Sequence, residues 1–451
     1  MPYRIGEELR GNATLKTLQG EPVNVLKVIS KEGGQGDVYR VNWKGGEYAL
    51  KWYNRTEADA IGSEQYRNIK RLTGIPNPDP KRFIWPQVIV TEDGSEREGA
   101  LFGYLMDLIP DGYHELKKFL CSDSNPGQKK FKSFHAMIWS ALHMMTAVRA
   151  LHLQGMSYKD LNPGNVSIDP ATGRSLMVDC DNISVDGDPC TVSGMRGYMA
   201  PEIVRSGFRK TPDIQTDLFS EAIILFRLFY MDHPMEGRRW NEFPVHTDRV
   251  EDELYSYHPI YNMAREDDRN RPDEVWAPNV IPRMERLPRV LLQGFENTFV
   301  NGIEHIMGRT TDNAWLSYLT AARDQMVFLD PKCEREQCVY FQKKETIPPG
   351  CLRLTVGQKR SEVALYPMQS LFKNTLTGNH QDYETRVGWL NVVRGVLAMQ
   401  NLSGQEWEVY DPTSKKVMPV AHQQWFPVKA GTQIKFSGQP KIVGVIDDPR
   451  R

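Results

Sequence analysis

Residues 158–165, Tyr158-Lys159-Asp160-Leu161-Asn162-Pro163-Gly164-Asn165, decide the fold. An acid stands five residues before an amide, and the proline between them stiffens the loop. A carboxylate can accept a proton from a hydroxyl group, and an amide oxygen can bind a divalent cation. The stretch follows an apolar run with helical spacing, residues 131–153, and precedes a strand that ends in Val178-Asp179. This order of helix, loop and strand predicts an active site rather than a chance match.

The composition is typical of a globular protein with more than one domain. Of the 451 residues, 40% are apolar and 25% are charged, and the net charge is −1. A balanced charge favours neither a nucleic acid nor a membrane surface as partner. Six cysteines are too few for a disulfide scaffold, and the sequence shows no signal peptide and no membrane-spanning run. We therefore expect a cytoplasmic protein.

A glycine-rich turn, Glu32 to Val38, lies between two β-rich runs near the N-terminus. Glycines let backbone N–H groups approach phosphates without obstruction by a Cβ atom. The next run, residues 47–53, carries Ala49-Leu50-Lys51, and a lysine at this place can reach the phosphates when a helix carboxylate orients it. Each signal alone is weak, because such turns often bind nothing and strand lysines are usually solvated.

Further motifs follow residues 158–165 in a fixed order. Asp179-Cys180-Asp181 ends an apolar strand, where a carboxylate is either a Mg²⁺ ligand or a turn former. Ala200-Pro201-Glu202 comes next, and Asp217 then lies near the start of a helix predicted for residues 216–230, where it can act as an N-cap. Arg309 comes last, in Gly308-Arg309-Thr310.

In this order and spacing the motifs resemble those of the eukaryotic-type protein kinases. The resemblance implies an α+β, two-lobed fold with ATP and Mg²⁺ as cofactors. It also implies transfer of the γ-phosphoryl group to Ser/Thr hydroxyls of a protein substrate, and an ion pair between Arg309 and Glu202. The resemblance implies Asp160 and Lys51 for catalysis, Gly33, Gly34 and Gly36 for the phosphates, and Asn165 and Asp179 for the metal. To these we add Asn162 as a further catalytic residue and Asp181 as an extra metal ligand, although both depart from the family pattern.

The resemblance also implies where the adenine ring lies. Met106 stands at the gatekeeper position, and backbone groups of Asp107 and Ile109 would bond the edge of the ring. Val38 and Ala49 would cover its upper face. All the apolar members of this set are also ordinary core residues.

Three phrases are similar to a bacterial subgroup of this family: Asp179 to Asn182, Asp232 to Gly237 and Asp267 to Pro272. That subgroup is associated, in tellurium-resistance triads, with a PP2C-type phosphatase and a von Willebrand A protein. Both proteins are therefore implied as partners.

Several positions depart from the family pattern. Lys159 replaces an arginine, Asn162 replaces a lysine that steadies the γ-phosphate, and Asp181 replaces a glycine. The helix glutamate that should pair with Lys51 is assigned to Glu64, and Glu57 is the other acid within a helix predicted for residues 57–72. Two functions therefore stay open: an active kinase, and a pseudokinase scaffold that binds nucleotide or protein partners without phosphotransfer.

The C-terminal part has a different character. Cys333, Cys338 and Cys351 resemble a zinc ribbon that lacks its fourth ligand, and the alternative is a metal-free hairpin between domains. Strand-rich residues 352–446 resemble a degenerate forkhead-associated sandwich without its phosphothreonine-binding Gly-Arg and Ser-x-x-His motifs. The predicted domains are residues 1–108 for the N-lobe, 109–328 for the C-lobe, 329–352 for a cysteine-bearing linker and 353–451 for an all-β sandwich-like domain.

Overall fold

A computed structural model describes the chain except at its termini and in several internal segments. The described residues are 3–31, 36–56, 59–120, 129–190, 192–273, 275, 279–284, 287–328, 338–340, 350–356, 359–436 and 442–447. Predictions for Gly33, Gly34, Glu57 and Cys333 fall outside these ranges and stay predictions.

The N-terminal lobe is built on six antiparallel strands that close into a barrel in the order β1-β2-β3-β4-β6-β5. Their bounds are β1 (Thr14–Thr17), β2 (Pro22–Ser30), β3 (Gly36–Trp43), β4 (Gly46–Tyr53), β5 (Val88–Thr91) and β6 (Phe102–Met106). Alternating apolar residues in β1 and β2 send Leu15, Val23 and Val25 into the barrel core. The predicted hairpin of β3 and β4 is confirmed, and it places Lys51 opposite Val38.

One helix, α1 (Glu64–Thr73), packs beside the barrel. The helix predicted from residue 57 was too long, because residues 60–62 form a bend and a turn and Gly62 has a φ of 97°. Ser63 caps the first turn by accepting a hydrogen bond from the Tyr66 backbone N–H at 3.0 Å. Ile61 just before the helix and Ile69 and Leu72 within it are buried.

Helices dominate the second lobe, as the sequence predicts. Their bounds are α2 (Phe134–His152), α3 (Pro201–Arg205), α4 (Ile214–Tyr230), α5 (Asp248–Asp252), α6 (Val280–Met284), α7 (Val290–Glu296), α8 (Gly302–Glu304) and α9 (Asp312–Gln325). Short strands complete it: β7 (His114–Glu115), β8 (Met156–Ser157), β9 (Val166–Ile168), β10 (Ser175–Met177), β11 (Ser184–Val185), β12 (Met326–Phe328) and β13 (Cys338–Tyr340). The apolar helices α2 and α4 lie at the centre of the largest core cluster.

The C-terminal part is a two-layered antiparallel structure. Its elements are β14 (Gly350–Val356), β15 (Lys359–Leu365), β16 (Ser370–Phe372), α10 (Lys373–Thr377), β17 (Arg386–Val393), β18 (Val396–Asn401), β19 (Trp407–Asp411), β20 (Lys416–Val420), β21 (Trp425–Pro427), β22 (Gln433–Phe436) and β23 (Ile442–Asp447). Six strands form one sheet in the order β15-β14-β23-β22-β19-β20, and four form the other in the order β16-β17-β18-β21. The two sheets share an apolar core that includes Leu390, Met399 and Trp407. The predicted all-β domain is confirmed.

This β domain docks on the helical lobe through the segment between β16 and β17. Phe372 lies under the Arg323 guanidinium, 3.8 Å from guanidinium carbon to ring centroid, and its centroid is 5.5 Å from that of Trp139. Glu384 accepts a hydrogen bond from Arg82 at 2.7 Å and lies 2.9 Å from the His143 ring nitrogen. Phe372 therefore belongs to the core of the helical lobe rather than to that of its own sandwich.

Among the described residues, no helix is both long and apolar enough to cross a bilayer.

Candidate active site

The loop of residues 158–165 holds the Asp160 carboxylate in place with two amides. The Asn162 side chain donates to the Asp160 carbonyl oxygen at 3.0 Å and to Oδ1 at 3.1 Å. The Asn165 side chain donates to the same carbonyl oxygen at 2.9 Å and to Oδ2 at 3.3 Å. Asn162 Oδ1 in turn accepts from the Gly164 backbone N–H at 2.9 Å, so Asn162 is itself fixed. Asp160 is thus oriented by the two side chains that stand beside it in the motif.

The same loop is attached to helix α4 through Asp217. Its carboxylate accepts the backbone N–H of Tyr158 at 2.5 Å and that of Lys159 at 3.0 Å. These bonds hold Lys159 in the left-handed region, at a φ of 68°. The N-cap interpretation of Asp217 was wrong: Asp213 caps α4, because its side chain accepts the Thr216 N–H at 2.9 Å. Asp217 lies one turn further on, where it can reach the loop.

The opposite wall of the cleft carries Lys51 on β4. Lys51 Nζ forms ion pairs with Asp179 Oδ1 and, at 2.6 Å, with Asp181 Oδ2. Asp179 has a φ of 57°, which turns its side chain back toward the cleft at the start of a short 3₁₀ helix. The Val178 backbone N–H donates to the Asn165 carbonyl oxygen at 2.9 Å, and this bond places Asp179 beside Asn165. Five predicted residues, Asp160, Asn165, Asp179, Asp181 and Lys51, therefore meet around one cleft.

Burial makes the carboxylates of this cleft more basic than usual. Desolvation, with a further contribution from Asp179, raises the pKa of Asp160 to about 6, although the bonds from Asn162 and Asn165 oppose the rise. The pKa of Asp179 is also raised, by burial and by the charge of Asp181. For Lys51, burial disfavours the charge, but Asp181 and Asp179 together hold its pKa above the usual value. Asp160 and Asp179 are thus more basic than ordinary carboxylates, and Lys51 keeps its charge beside Asp179 and Asp181.

The strand register places the predicted adenine residues on one face. Ala49 pairs with Met106 and Lys51 with Tyr104, and side chains of paired residues point to the same side of a sheet. Ala49 is buried and Val38 is half-buried, whereas Ile109 is 43% exposed at the start of the next segment. The Asp107 side chain accepts from Gln87 at 2.7 Å. The face that should receive the ring is formed, and its role stays a prediction.

The remaining loop glycine, Gly36, is required by packing. A Cβ atom added here would collide with the backbone oxygen of Trp52 on β4. Gly36 thus permits close approach of β3 to β4, whatever else it does for phosphates.

Helix α1 turns an amide rather than its predicted acid toward the cleft. Glu64 lies in the first turn and is exposed. Gln65 is buried, and its amide donates to the Asp181 carbonyl oxygen at 3.1 Å, while Asn68 donates to the same oxygen at 2.8 Å. Sequence reasoning missed Gln65, Asn68 and Tyr53, whose hydroxyl donates to Asp181 Oδ2. The available signals were the three-residue spacing of Gln65 and Asn68 on α1 and the two-residue spacing of Tyr53 from Lys51 on β4.

The segment after Asp181 ends as the sequence predicts. Arg309 donates to both carboxylate oxygens of Glu202, at 2.8 and 2.7 Å, so the predicted ion pair is confirmed. Ser193 is half-buried, and Met195, which stands where the family has threonine, is 45% exposed.

The cysteine prediction is not decided by the described residues. Cys351 is buried on β14, Cys338 belongs to β13, and Cys333 lies outside the described ranges. The part of the chain that the structure describes contains no cluster of three or more His, Cys, Asp or Glu side chains arranged to hold a metal ion.

Mg²⁺ requires oxygen ligands. The cleft supplies them although its described residues contain no cluster of three His, Cys, Asp or Glu side chains arranged to hold a metal ion, because one of the ligands would be the amide oxygen of Asn165. The Asn165 amide nitrogen is bonded to Asp160, which turns its oxygen away from that residue. The Asp179 side chain is 38% exposed beside it. Asp181 Oδ1 is buried and has no hydrogen-bond partner among the described residues. These side chains fit a magnesium ion held by Asn165 and Asp179.

Comparison with known proteins matches this geometry. A profile of the protein kinase domain family matches residues 31–275. The chain belongs to the protein kinase domain family. The kinase domain is 25% identical over 268 residues to mouse dual specificity protein kinase TTK, a match that covers 55% of this chain and 28% of that protein. It is 27% identical over 246 residues to the DNA damage-responsive serine/threonine-protein kinase RqkA of Deinococcus radiodurans (52% of this chain, 32% of that protein).

A shorter match, 31% identical over 131 residues, is to serine/threonine-protein kinase PknG of Mycolicibacterium smegmatis (29% of this chain, 16% of that protein). The chain thus spans about a third or less of the length of these relatives. Among solved structures, the Cydia pomonella granulovirus kinase PK-1 matches with a TM-score of 0.44 and 15% identity, over 66% of this chain and 93% of that one. The predicted kinase fold is confirmed; the tellurium-resistance subgroup stays a prediction.

Proposed function

We propose that this kinase domain transfers the γ-phosphoryl group of ATP, with Mg²⁺, to Ser/Thr hydroxyls of a protein substrate. The observation that carries the proposal is the setting of Asp160. Its carboxylate is fixed by two amides, its pKa is raised to about 6, and it faces the same cleft as Lys51 and Asp179. A carboxylate with this pKa is ionised at neutral pH and still basic enough to accept a proton from a hydroxyl group.

The chain's own residues account for each part of the transfer. Asp160 orients the acceptor hydroxyl and takes its proton, and Asn162 keeps the Asp160 carboxylate aimed at that position. Lys51 contacts the ATP phosphates from the N-terminal lobe. Asn165 and Asp179 would hold the magnesium ion, which supplies positive charge against the phosphate oxygens when it is bound.

The class of acceptor rests on similarity. The relatives with printed Ser/Thr specificity, RqkA and PknG, support serine and threonine as acceptors. The resemblance to the tellurium-resistance subgroup supports a PP2C-type phosphatase and a von Willebrand A protein as partners. For the β domain we propose a forkhead-associated-like sandwich that docks proteins without reading phosphothreonine, since its two phosphate-binding motifs are lacking in the sequence.

The test is transfer of labelled phosphate from ATP to the chain itself and to a generic protein substrate, with and without Mg²⁺. Asp160→Asn is the variant, and Asp268→Asn, on an exposed acid of the C-lobe, is the matched control. We expect labelling by the wild type and the control, and none by Asp160→Asn. Equal labelling by all three contradicts the proposal. Stabilisation by ATP without any transfer would instead support the pseudokinase alternative.

A further inference from the structure

A fully buried carboxylate stands behind Lys51. The Asp181 side chain is 0% exposed, and its Oδ2 lies 2.6 Å from Lys51 Nζ. The same oxygen accepts the Tyr53 hydroxyl, and Tyr53 lies two residues after Lys51 on the same face of β4. The Lys51 ammonium also lies 5.5 Å from the centre of the Tyr53 ring. Lys51 is therefore held from behind by one acid and one ring, while the more exposed Asp179 contacts it from the cleft side.

Helix α1 fixes the backbone of this acid. Gln65 and Asn68 share one face of α1, and both amides donate to the Asp181 carbonyl oxygen, at 3.1 and 2.8 Å. Asn68 also donates to the Ile183 carbonyl oxygen at 2.9 Å. One turn further on, Arg71 forms an ion pair with Asp188 at 2.6 Å. Helix α1 thus holds the segment after Asp179 through neutral amides, and this segment presents Asp181 to Lys51.

We propose that Asp181 is a positioning residue that orients Lys51 toward the phosphates of ATP, in place of a helix carboxylate. The inference rests on the proposed function for its ligand, although the Lys51–Asp181 pair itself does not. Four contacts support it: the ion pair, the Tyr53 hydroxyl on the same oxygen, and the two amides on the carbonyl group. A carboxylate at the position of the family's glycine thereby takes a structural part in the site.

This role differs from the magnesium ligand that the sequence suggested for Asp181. A ligand must reach the ion from the cleft, where Asp179 is 38% exposed, whereas Asp181 is enclosed between Lys51, Tyr53 and α1. Both roles predict weaker ATP binding when Asp181 is neutralised. They differ in whether the magnesium concentration needed for half-maximal binding changes.

The experiment measures ATP and adenosine affinity of the full chain by calorimetry. Asp181→Asn should weaken ATP binding about tenfold and leave adenosine binding unchanged, because Lys51 acts on phosphates only. Tyr53→Phe, a milder change on the same oxygen, should weaken ATP binding about twofold. Glu96→Gln, which removes the exposed ion pair of Lys70 on the outer side of α1, is the control and should change neither affinity. Unchanged or tighter ATP binding by Asp181→Asn overturns the proposal.

Two further readouts separate the rival roles. If Glu64→Gln weakens ATP binding as much as Asp181→Asn, the helix acid orients Lys51 and the proposal is wrong. If Asp181→Asn raises the magnesium concentration needed for half-maximal ATP binding tenfold, Asp181 is a ligand, which also overturns it. An unchanged magnesium dependence supports the positioning role.

A double-mutant cycle separates failure of this inference from failure of the proposed function. Unfolding of the nucleotide-free chain is measured for the wild type, Lys51→Met, Asp181→Asn and the double variant. Non-additive effects on the free energy of unfolding support the Lys51–Asp181 pair, even if the wild type binds no ATP. Absence of ATP binding would count against the proposed function alone. Additive effects overturn the pair.

Discussion

The cleft between the lobes and the interface with the β domain both contain acids beside other ionisable groups, but in opposite electrostatic settings. In the cleft, burial and neighbouring carboxylates raise the pKa values of Asp160 and Asp179. At the interface, the hydrogen bond from His143 and the charge of Arg82 lower the pKa of Glu384 to about 2, against the effect of burial. The cleft therefore disfavours the ionised form of these two acids, and the interface favours the ionised form of Glu384.

The direction of the pKa shift separates a region suited to chemistry from a region that holds two domains together. A carboxylate with a raised pKa costs stability when ionised, and such groups gather where chemistry needs a base. A carboxylate with a lowered pKa contributes stability when ionised. Neutralising an acid should thus raise the free energy of unfolding in the cleft and lower it at the interface. The following predictions test this comparison in order of decreasing effect.

The largest effect is expected from Asp160→Asn. The rate of phosphotransfer should fall on the order of 10³-fold, because the amide cannot accept the proton of the acceptor hydroxyl. The free energy of unfolding at pH 7.5 should rise by about 1 kcal/mol, because a charge that burial disfavours is removed. Phosphate transfer and denaturant unfolding measure the two effects, with Asp268→Asn as control. Loss of stability in Asp160→Asn would contradict the cleft half of the comparison.

The second effect is expected from Phe372→Ala at the interface. Phe372 is buried between Arg323 and Trp139, so the truncation should lower the free energy of unfolding by about 3 kcal/mol. ATP affinity at a temperature where the variant is folded should stay unchanged. Val417→Ala, at a 62% exposed position on β20, is the control and should cost little. A loss below about 1 kcal/mol would mean that the β domain is only loosely attached.

The sequence predicted the cleft far better than the interface, and the reason is physical. Catalysis requires particular side chains at particular spacings, so Asp160, Asn165 and Asp179 could be placed from their order alone. Phe372 contacts Arg323, and Glu384 contacts Arg82, although the partners are far apart in the sequence. No spacing between such aromatic and charged residues indicates in the sequence which of them will be partners. Within the cleft the same limit applied to Gln65 and Tyr53, whose roles depend on how α1 and β4 face Asp181.

A third prediction concerns His152, whose side chain lies buried behind the loop of residues 158–165, 3.2 Å from Asp217 and 3.0 Å from Asp312. Burial disfavours its charge, but the hydrogen bonds that its ring donates to these two acids raise the pKa of His152 to about 10. A raised folded-state pKa contributes stability that is full below about pH 6.5 and is lost as the pH rises through about 10. His152→Gln should cost about 2 kcal/mol at pH 6 by leaving two acids without a cation.

The measurement is the pH dependence of unfolding for the wild type and His152→Gln. The difference in the free energy of unfolding between the wild type and His152→Gln should narrow steadily above pH 7. A gap that does not change between pH 6 and pH 10 would show that the histidine is neutral in the folded chain.

The smallest effect is expected from Glu384→Gln. The sign of its change in the free energy of unfolding tests whether the interface differs from the cleft. Glu384 is 46% exposed, so solvent screens its pairs with Arg82 and His143 and the loss at pH 7 should be about 0.5 kcal/mol. Because the folded-state pKa lies near 2 and the ordinary value is 4.5, the loss should persist above pH 4.5 and vanish as the pH falls through about 2. The gain from Asp160→Asn should instead fade between pH 6 and pH 4, where the folded chain already protonates Asp160. Denaturant unfolding of the wild type and both variants from pH 8 to pH 2 measures the two pH dependences together. If Glu384→Gln stabilises the chain at pH 7, the acid at the interface is strained like those of the cleft, and the division between the two regions does not hold.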